Sequence, residues 1–246
     1  MNANNDKQTV KTRLHEVEAR IDAACARAQR SADSVRLLPV SKTVAPEKIC
    51  TAYAAGYRSF GENKVQEAKE KHHALHALDD IDWVIIGHLQ TNKAKWVARY
   101  ASEFQALDSL RVAEALERRL QREGRCLDVL IQVNTSGEAS KFGLVPAEVP
   151  AFIHALQSYN ALRVQGLMTL ALFSADSARV RPCFIALREL RDRLLENLPE
   201  SMSMRELSMG MSGDFEIAIE EGATTVRIGQ AIFGTRPLPD SHYWPS

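Results

Sequence analysis

The feature of this sequence that most constrains its fold is the regular alternation of short apolar segments with longer amphipathic ones. In the longer segments apolar residues recur three and four positions apart, as on one face of a helix, whereas the short segments are apolar or β-branched. Strands are predicted at 35–41, 57–61, 83–87, 104–107, 127–134, 162–168, 204–207 and 224–228. Helices are predicted at about 46–55, 63–77, 92–100, 109–122, 146–157, 176–197 and 213–221. Such alternation is typical of a parallel sheet.

Eight strand–helix units in 246 residues predict an α/β fold, a closed (β/α)8 barrel. The alternative, an open doubly wound sheet, needs a glycine-rich turn after its first strand, and LLPVSKTVAPE at 37–47 contains no glycine. An additional helix is predicted before the first strand, where apolar residues form one helical stripe. These residues are Val10, Leu14, Val17, Ile21, Ala24 and Ala28. We expect one domain over 1–246, with a leading helical segment at 1–34 and a tail at 237–246.

Composition and charge exclude several classes of protein. Lys and Arg total 31 and so do Asp and Glu, whereas a protein that binds nucleic acid through its phosphates usually carries an excess of basic residues. The hydrophobic content of 45% argues against disorder, and the apolar runs are too short to cross a membrane. The N-terminus has no signal-peptide pattern, and the four widely spaced cysteines fit a reducing compartment. We expect a cytoplasmic protein.

Two basic residues near strand ends are candidates for chemistry. The active site of such a barrel forms at the C-terminal ends of its strands, and Lys42 directly follows the first strand. On pattern alone, Lys42 is either a solvated strand end or an amine at the barrel mouth that forms a Schiff base with a carbonyl compound. Arg227 alternates with Val226 and Ile228 in the eighth strand. It therefore faces either the barrel interior or a carboxylate on an outer helix.

The loops after strands seven and eight have the composition of an anion site. The first contains Ser208 and Ser212, and Ser212 is a plausible N-cap of the following helix. The second begins at Gly229, where a short turn or helix leaves backbone N–H groups exposed. Barrels often bind phosphate between these two loops. Ordinary turn chemistry accounts for each loop singly, but their joint occurrence favours a phosphate site.

Polar residues after other strands are less informative. Asn63, His88 and Asn134 follow the second, third and fifth strands, where caps and turns account for them equally well. His72 and His76 have the spacing of two metal ligands on one helix, but no third ligand follows at a fixed distance. A solvated helix face is therefore predicted for this histidine cluster, and no metal site.

With these residues placed, the sequence closely resembles the pyridoxal-phosphate homeostasis proteins, a family related to the N-terminal barrel of alanine racemases. The matching segments are ordered along nearly the whole chain beyond the first helix, and they fall at the predicted strand ends. They are LLPVSKT (37–43), FGENKVQEA (60–68), IGHLQTNKAK (86–95), VLIQVNTSGEASKFGL (129–144), GLMTL (166–170), LSMGMSGDFEIAIEEG (207–222) and VRIGQAIFG (226–234).

The resemblance implies how the ring of a cofactor is held. Lys42 would hold pyridoxal 5′-phosphate (PLP) as an internal aldimine, and Arg227 would face the pyridine nitrogen. The surroundings of the ring would be lined by Asn63, Asn134 and Met168. PLP needs an amine for its aldehyde, an anion site for its phosphate and a partner for its ring nitrogen, and the sequence offers candidates for all three.

The resemblance also implies the phosphate ligands, which would be Ser208, Ser212 and the backbone amides of Gly229 and Gln230. The family often has a small hydroxyl residue where this sequence has Gln230, so a side-chain contact to the phosphate is lost there while the backbone contact remains. Lys141 is the rival attachment site for PLP. It lies seven residues beyond the fifth strand in a polar loop, farther from a rigid strand end than Lys42.

The function implied is PLP homeostasis, in which a monomer carries, buffers or delivers PLP to apoenzymes that need it. Racemases with this barrel carry a further domain with a second acid/base group, and the chain ends twelve residues after Gly234. Arg227 donates a hydrogen bond without protonating the ring, which weakens the ring as an electron sink. We therefore expect no efficient turnover. The alternatives are a small PLP-dependent racemase, transaminase or lyase, and an aldolase whose Lys42 reacts directly with a phosphorylated sugar.

Overall fold

The computed structural model describes residues 3–138, 140–174 and 176–234, and eight parallel strands lie within these residues. The predicted tail at 237–246 lies outside the described residues. The strands are β1 (Arg36–Pro39), β2 (Ser59–Glu62), β3 (Asp82–Ile85), β4 (Ala101–Leu107), β5 (Leu127–Gln132), β6 (Leu162–Met168), β7 (Glu206–Ser208) and β8 (Thr225–Ile228). The helices are α1 (Ala3–Arg27), α2 (Pro46–Ala54), α3 (Val65–Ala74), α4 (Ala94–Tyr100), α5 (Leu110–Glu123), α6 (Val149–Leu156), α7 (Ser177–Leu195), α8 (Phe215–Glu220) and α9 (Gln230–Phe233).

The strands form one sheet that closes on itself. Their order is β1-β8-β7-β6-β5-β4-β3-β2, and every pairing is parallel. Closure occurs at a bridge between Val40 and Gly61, where the Ser41 N–H donates to the Gly61 carbonyl over 2.9 Å. The predicted (β/α)8 barrel is therefore confirmed.

The ends of some elements differ from the predicted ones for local reasons. β1 ends at Pro39, two residues before the predicted end, and beyond it Val40 still donates to Ile228 and bridges to Gly61 before the chain turns at Lys42 and Thr43. β4 begins at Ala101, three residues early, since α4 ends at the residue before it. β5 ends at Gln132, after which only Val133 pairs, in a single bridge to Leu144.

Helix α1 packs against α2, α8 and α9 on the outside of the barrel. Its predicted stripe is confirmed from Val10 to Ala24, whose side chains are all buried, whereas Ala28 lies beyond the helix end at Arg27. Arg30 then donates to the carbonyls of Ile219 and Ala223, each over 2.7 Å. Ile219 lies in the last turn of α8 and Ala223 lies in the segment between α8 and β8, so Arg30 joins the end of α1 to this region.

The hydrophobic core runs continuously through the described residues. Its largest fully buried side chains include Phe60, Trp83, Phe104, Phe184 and Phe215. Phe60 and Trp83 sit on neighbouring strands with ring centroids 6.5 Å apart. Within the described part of the chain, no helix has the length and apolar character needed to cross a membrane.

Candidate functional site

Lys42 lies at the barrel mouth beside the end of β8. Leu38 of β1 pairs with Arg227, and the Val40 N–H donates to the Ile228 carbonyl, so the two strands end side by side. A cavity of about 210 Å³ opens between the loops that follow them. Its lining includes Lys42, Lys48, Gly229, Gln230, Phe233 and Gly234. The structure therefore brings together the predicted amine and two of the predicted phosphate-binding residues.

Gly229 is positioned so that only glycine fits. A Cβ added there would lie 2.9 Å from the Val40 carbonyl oxygen, so a side chain would force the strands apart. Among the described residues, no backbone carbonyl accepts the N–H of Gly229 or Gln230. Both residues line the cavity, where helix α9 begins, so their N–H groups are candidates to bind an anion.

Ser212 connects the loops after β7 and β8. Its hydroxyl oxygen accepts the N–H of Ala231, in the first turn of α9, over 3.2 Å. The interpretation of Ser212 as a helix N-cap is wrong, because α8 begins at Phe215 and Asp214 occupies the N-cap position. Asp214 instead accepts the N–H of Met211 over 2.6 Å, which closes the loop on itself.

Arg227 lies inside the barrel and is only 3% exposed. Its guanidinium donates to the Ser208 hydroxyl oxygen and to the Thr169 carbonyl, each over 2.7 Å. The alternative, in which Arg227 faces outward to a helix carboxylate, is therefore wrong. Burial lowers the pKa of Arg227 to about 10, although the charge of Asp214 opposes the shift. Arg227 thus remains a cation at neutral pH.

Ser208 belongs to a polar layer in the barrel interior. Its side chain is fully buried, and its hydroxyl donates to Gln105 Oε1 over 2.7 Å while accepting from Arg227. These contacts use the hydroxyl proton, and the cavity lining does not include Ser208. Gln105 was missed by sequence reasoning, although a polar residue between the apolar residues of the fourth strand was a usable signal. The predicted contact between Ser208 and a phosphate stays a prediction.

The three residues expected around the ring are distributed over other strand ends. Met168 is fully buried at the end of β6. Asn63 follows β2, and its carbonyl lies so close to Gly87 that a Cβ on the glycine would collide with it. Asn134 follows β5 and uses its side-chain amide to donate to the carbonyls of Glu138 and Lys141. None of the three is part of the cavity lining beside Lys42, so their ring contacts stay predictions.

Lys141, the rival attachment site, fastens its loop to the next strand. Its Nζ donates to the Ala171 carbonyl over 2.8 Å and pairs with Glu138 at 2.5 Å. The adjacent Phe142 stacks on His88 with ring centroids 4.2 Å apart. His88 Nδ1 also lies 3.5 Å from a carboxylate oxygen of Asp108, and burial raises the pKa of this carboxyl group. His88 and Lys141 therefore both contribute to the arrangement of the loop after β5.

A buried ionic network lies behind Lys42, and sequence reasoning did not identify it. Lys71 Nζ lies 2.7 Å from Oε1 of Glu62 and 2.7 Å from Oε1 of Glu67, and it donates to the Ser41 carbonyl over 2.5 Å. The Ser41 hydroxyl donates to Glu62 over 2.6 Å, and the Thr43 N–H donates to Glu67 over 2.5 Å. The four-residue spacing of Glu67 and Lys71 on one helix was the only usable sequence signal.

Glu62 is the most deeply buried member of this network. Its side chain has no exposed surface, and its Oε2 atom has no hydrogen-bond partner among the described residues. Burial raises the pKa of Glu62 to about 7, and the charge of Lys71 opposes this shift. Its carboxyl group therefore titrates close to neutral pH.

Comparison with known proteins gives a consistent picture. Residues 14–237 match the family model described as alanine racemase, N-terminal domain. The chain is 42% identical over 224 residues to the pyridoxal phosphate homeostasis protein of Aquifex aeolicus, covering 91% of this chain and 97% of that protein. It is also 42% identical over 235 residues to the pyridoxal phosphate homeostasis protein of Bos taurus, covering 91% and 86% of the two chains.

One similar protein has a solved structure that contains the cofactor. PipY of Synechococcus elongatus, solved with PLP bound, is 35% identical with a TM-score of 0.77, covering 87% of this chain and all of that one. The model match and the identities extend over most of the chain. The chain therefore belongs to the pyridoxal phosphate homeostasis protein family, whose barrel is that of the alanine racemase N-terminal domain.

Proposed function

We propose that this protein binds PLP covalently through Lys42 and serves as a carrier that stores and delivers the cofactor. One observation carries the proposal: Lys42, Gly229 and Gln230 line the same cavity. An amine and backbone N–H groups at one cavity suit a small ligand with an aldehyde and a phosphate. The names of the relatives and the PLP bound to PipY support the same ligand class.

The residues present fit the chemical demands of PLP. Gly229 keeps the floor of the anion site free of a side chain, because a Cβ there would meet the Val40 carbonyl. Ser212 supplies a hydroxyl in the neighbouring loop and holds the first turn of α9 in place. When bound, PLP supplies an aldehyde whose carbon bonds to the Lys42 Nζ atom with release of one water molecule. The protein's contribution is to hold that amine and the phosphate at a constant separation.

Arg227 supports a storage function rather than amino-acid turnover. A guanidinium whose pKa lies near 10 keeps its proton at neutral pH, so it donates a hydrogen bond without transferring a proton. A pyridine nitrogen that stays unprotonated makes the ring a weak electron acceptor. Carbanion chemistry on a bound amino acid is then slow, and the bound cofactor is retained unchanged until it is passed on.

We further propose that the carrier works as a monomer in the cytoplasm and passes PLP to apoenzymes that need it. Lys42, Gly229 and Gln230 belong to the same chain, so the proposal needs no group from a second copy. The four cysteines are unpaired, as in a reducing compartment, and two of them, Cys25 and Cys183, are buried. We also propose that residues 1–246 form one domain.

The attachment site is tested by spectroscopy and peptide mapping. Protein loaded with PLP should show the visible absorbance of a lysine-bound cofactor, and borohydride reduction should leave the cofactor mass on the peptide containing Lys42. Lys42→Ala should abolish the visible band, whereas the matched variant Lys141→Ala should retain it. Cofactor mass on Lys141 in the wild-type protein would overturn the assignment, and a loaded protein without visible absorbance would favour the aldolase alternative.

The storage function is tested by turnover. Loaded protein mixed with alanine should racemise it far more slowly than ordinary enzymes, whose turnover is typically about 1–1000 per second. It should also transfer its PLP to the cofactor-free form of a PLP-dependent enzyme and restore that enzyme's activity. Racemisation or cleavage of an amino acid at an ordinary enzymatic rate would replace the carrier proposal with a small PLP enzyme.

A further inference from the structure

The chain on both sides of Lys42 is bound to helix α3. Ser41 is held twice, because its hydroxyl donates to Glu62 and its carbonyl accepts from Lys71. Thr43 is held once, through its backbone N–H to Glu67. Residues 41–44 form a turn, closed by the Val44 N–H, which donates to the Ser41 carbonyl over 2.9 Å. The contacts to α3 on both sides of Lys42 therefore hold the turn from which Lys42 lines the cavity.

Thr43 shows that the segment is held in a conformation it would not adopt alone. Its φ angle is +63°, in the left-handed region that a β-branched residue strongly disfavours. Such a conformation persists only where the surrounding contacts enforce it. Two contacts enforce it here: the turn hydrogen bond from the Val44 N–H to the Ser41 carbonyl, and the hydrogen bond from the Thr43 N–H to Glu67, a charged acceptor that also pairs with Lys71. The strained residue directly follows the predicted attachment site.

The charges of this network are mutually dependent. Lys71 is 6% exposed, and its ammonium group is shared by two carboxylates, Glu62 and Glu67. Removing one partner of a buried ion pair leaves the other charge uncompensated, which is more costly than never having formed the pair. The ammonium also binds the Ser41 carbonyl, so a change at any member alters the segment that carries Lys42.

We propose that Glu62, Glu67 and Lys71 form a positioning network that holds residues 41–43 so that Lys42 stays at the cavity, and that this network sets the rate at which bound PLP is released. The inference rests on the proposed function for the identity of the ligand. The contacts that carry it are independent of that function, since they join the segment after β1 to β2 and α3 through protein atoms alone. These three side chains are positioning residues and do not touch the ligand.

The test compares two substitutions at Glu67 with a matched control. Glu67→Ala removes the acceptor of the Thr43 N–H, whereas Glu67→Gln keeps an oxygen acceptor at the same place. Glu70→Ala removes an exposed carboxylate from the same helix, whose recorded side-chain contact is with Gln66. Each protein is loaded with PLP and mixed with an excess of a cofactor-free PLP-dependent enzyme. Loss of the visible band then gives the release rate.

We expect Glu67→Ala to release PLP about tenfold faster than the wild type, the change that corresponds to losing one hydrogen bond to a charged group. The release rate of Glu67→Gln should lie between those of the wild type and Glu67→Ala, and that of Glu70→Ala should equal the wild-type rate. A wild-type release rate in Glu67→Ala would overturn the proposal. So would an equal acceleration in all three variants, because that would indicate the charge of α3 rather than the network.

A second measurement tests the positioning network without depending on PLP binding. Amide hydrogen exchange of the cofactor-free proteins should be faster at residues 41–44 in Glu67→Ala than in the wild type, and unchanged in Glu70→Ala. If the wild type fails to bind PLP at Lys42, the proposed function fails, while this measurement still decides whether the network holds the segment. Unchanged exchange at residues 41–44 in Glu67→Ala would overturn the positioning network itself. Ser41→Ala, which removes only the hydroxyl contact to Glu62, provides a milder variant if Glu67→Ala does not fold.

Discussion

Arg227 is the residue whose placement most affects the chemistry of this barrel. It brings a positive charge into the interior, where its recorded hydrogen bonds go to a hydroxyl and a carbonyl rather than to a carboxylate. The charge of Asp214 also acts on it and raises its pKa, against the larger effect of burial. A buried guanidinium without a bonded carboxylate remains attractive to an anion or to an acceptor on a ligand. The polar layer of Arg227, Ser208 and Gln105 therefore makes the barrel interior suited to a polar ligand above it.

Glu62 is predicted to make stability depend on pH. Its pKa is raised from 4.5 to about 7 by burial, so between these pH values the folded protein keeps a proton that the unfolded chain has lost. The stabilisation of the folded protein by this proton is fully present below about pH 4.5 and is lost as the pH rises through 7. Relative to Glu62→Gln, the wild type should lose on the order of 3 kcal/mol of unfolding free energy over this range.

Urea denaturation of both proteins at pH 5 and pH 7.5 measures this difference. The control is Glu70→Gln, on the exposed side of α3. The difference in unfolding free energy between the wild type and this variant should be the same at both pH values. The assigned titration would be contradicted if the unfolding free energy of the wild type relative to Glu62→Gln did not change with pH. It would also be contradicted if the wild type gained stability relative to the variant at the higher pH.

At the scale of single elements, helix α1 supports the part of the barrel that forms the anion site. It packs against α2 and α8, and also against α9, whose first turn borders the cavity beside Lys42. Its exposed face adds ion pairs from Arg20 to Glu216 and from Arg27 to Glu220, which are worth little because they are largely solvated. The buried stripe must therefore supply most of the packing energy of this helix.

Leu14→Ala should reveal this contribution. Leu14 is 1% exposed, and truncating a fully buried leucine costs about 2–5 kcal/mol of unfolding free energy because it removes contacts and leaves a cavity. Glu16→Ala, an exposed position two residues along the same helix, should change stability by less than about 0.5 kcal/mol. Urea denaturation measures both values. Similar effects of the two substitutions would contradict the role assigned to the buried stripe of α1.

At the scale of the whole molecule, two junctions of the described barrel are joined by a single residue pair. Six pairs join β5 to β6, whereas β7 and β8 share one pair, Ser208 with Thr225, and β1 and β2 share the bridge between Val40 and Gly61. The seam between these strands lies directly below Lys42 and beside the network of Glu62 and Lys71. Local opening is easiest where the fewest backbone hydrogen bonds must break. The candidate ligand site therefore lies at one of the two junctions where the barrel is expected to open most readily.

Ligand binding should close this seam. In the cofactor-free protein, the Ser41 amide, which donates to Gly61 across the seam, should exchange faster than the Val133 amide, which donates to Met168. PLP at about 100 times its Kd should slow Ser41 exchange by up to about 100-fold, because the ligand stabilises the closed state. Hydrogen exchange measured by NMR tests both statements. Equal protection of the two amides without PLP would argue against a weak seam.

The fold was predictable because its signals are local. Apolar runs and helical stripes depend only on neighbours within a few residues, and all eight strands lie within a few residues of their predicted positions. The rule that barrel sites form at strand ends then identified Lys42 and Gly229, which do border one cavity. The helix cap assigned to Ser212 failed, because the loop closes through Asp214 instead.

The sequence by itself determined the order of strands and helices, the amphipathic first helix and the basic and glycine residues at two strand ends. Only the tertiary structure decided that Arg227 faces inward, that Ser208 bonds Gln105 at a separation of 103 positions, and that Glu62 and Lys71 hold the segment around Lys42. The physical reason is the distance along the sequence over which each interaction acts. Periodicity is set by the backbone geometry of each element, whereas a buried polar group finds its partner only after barrel closure brings distant elements together.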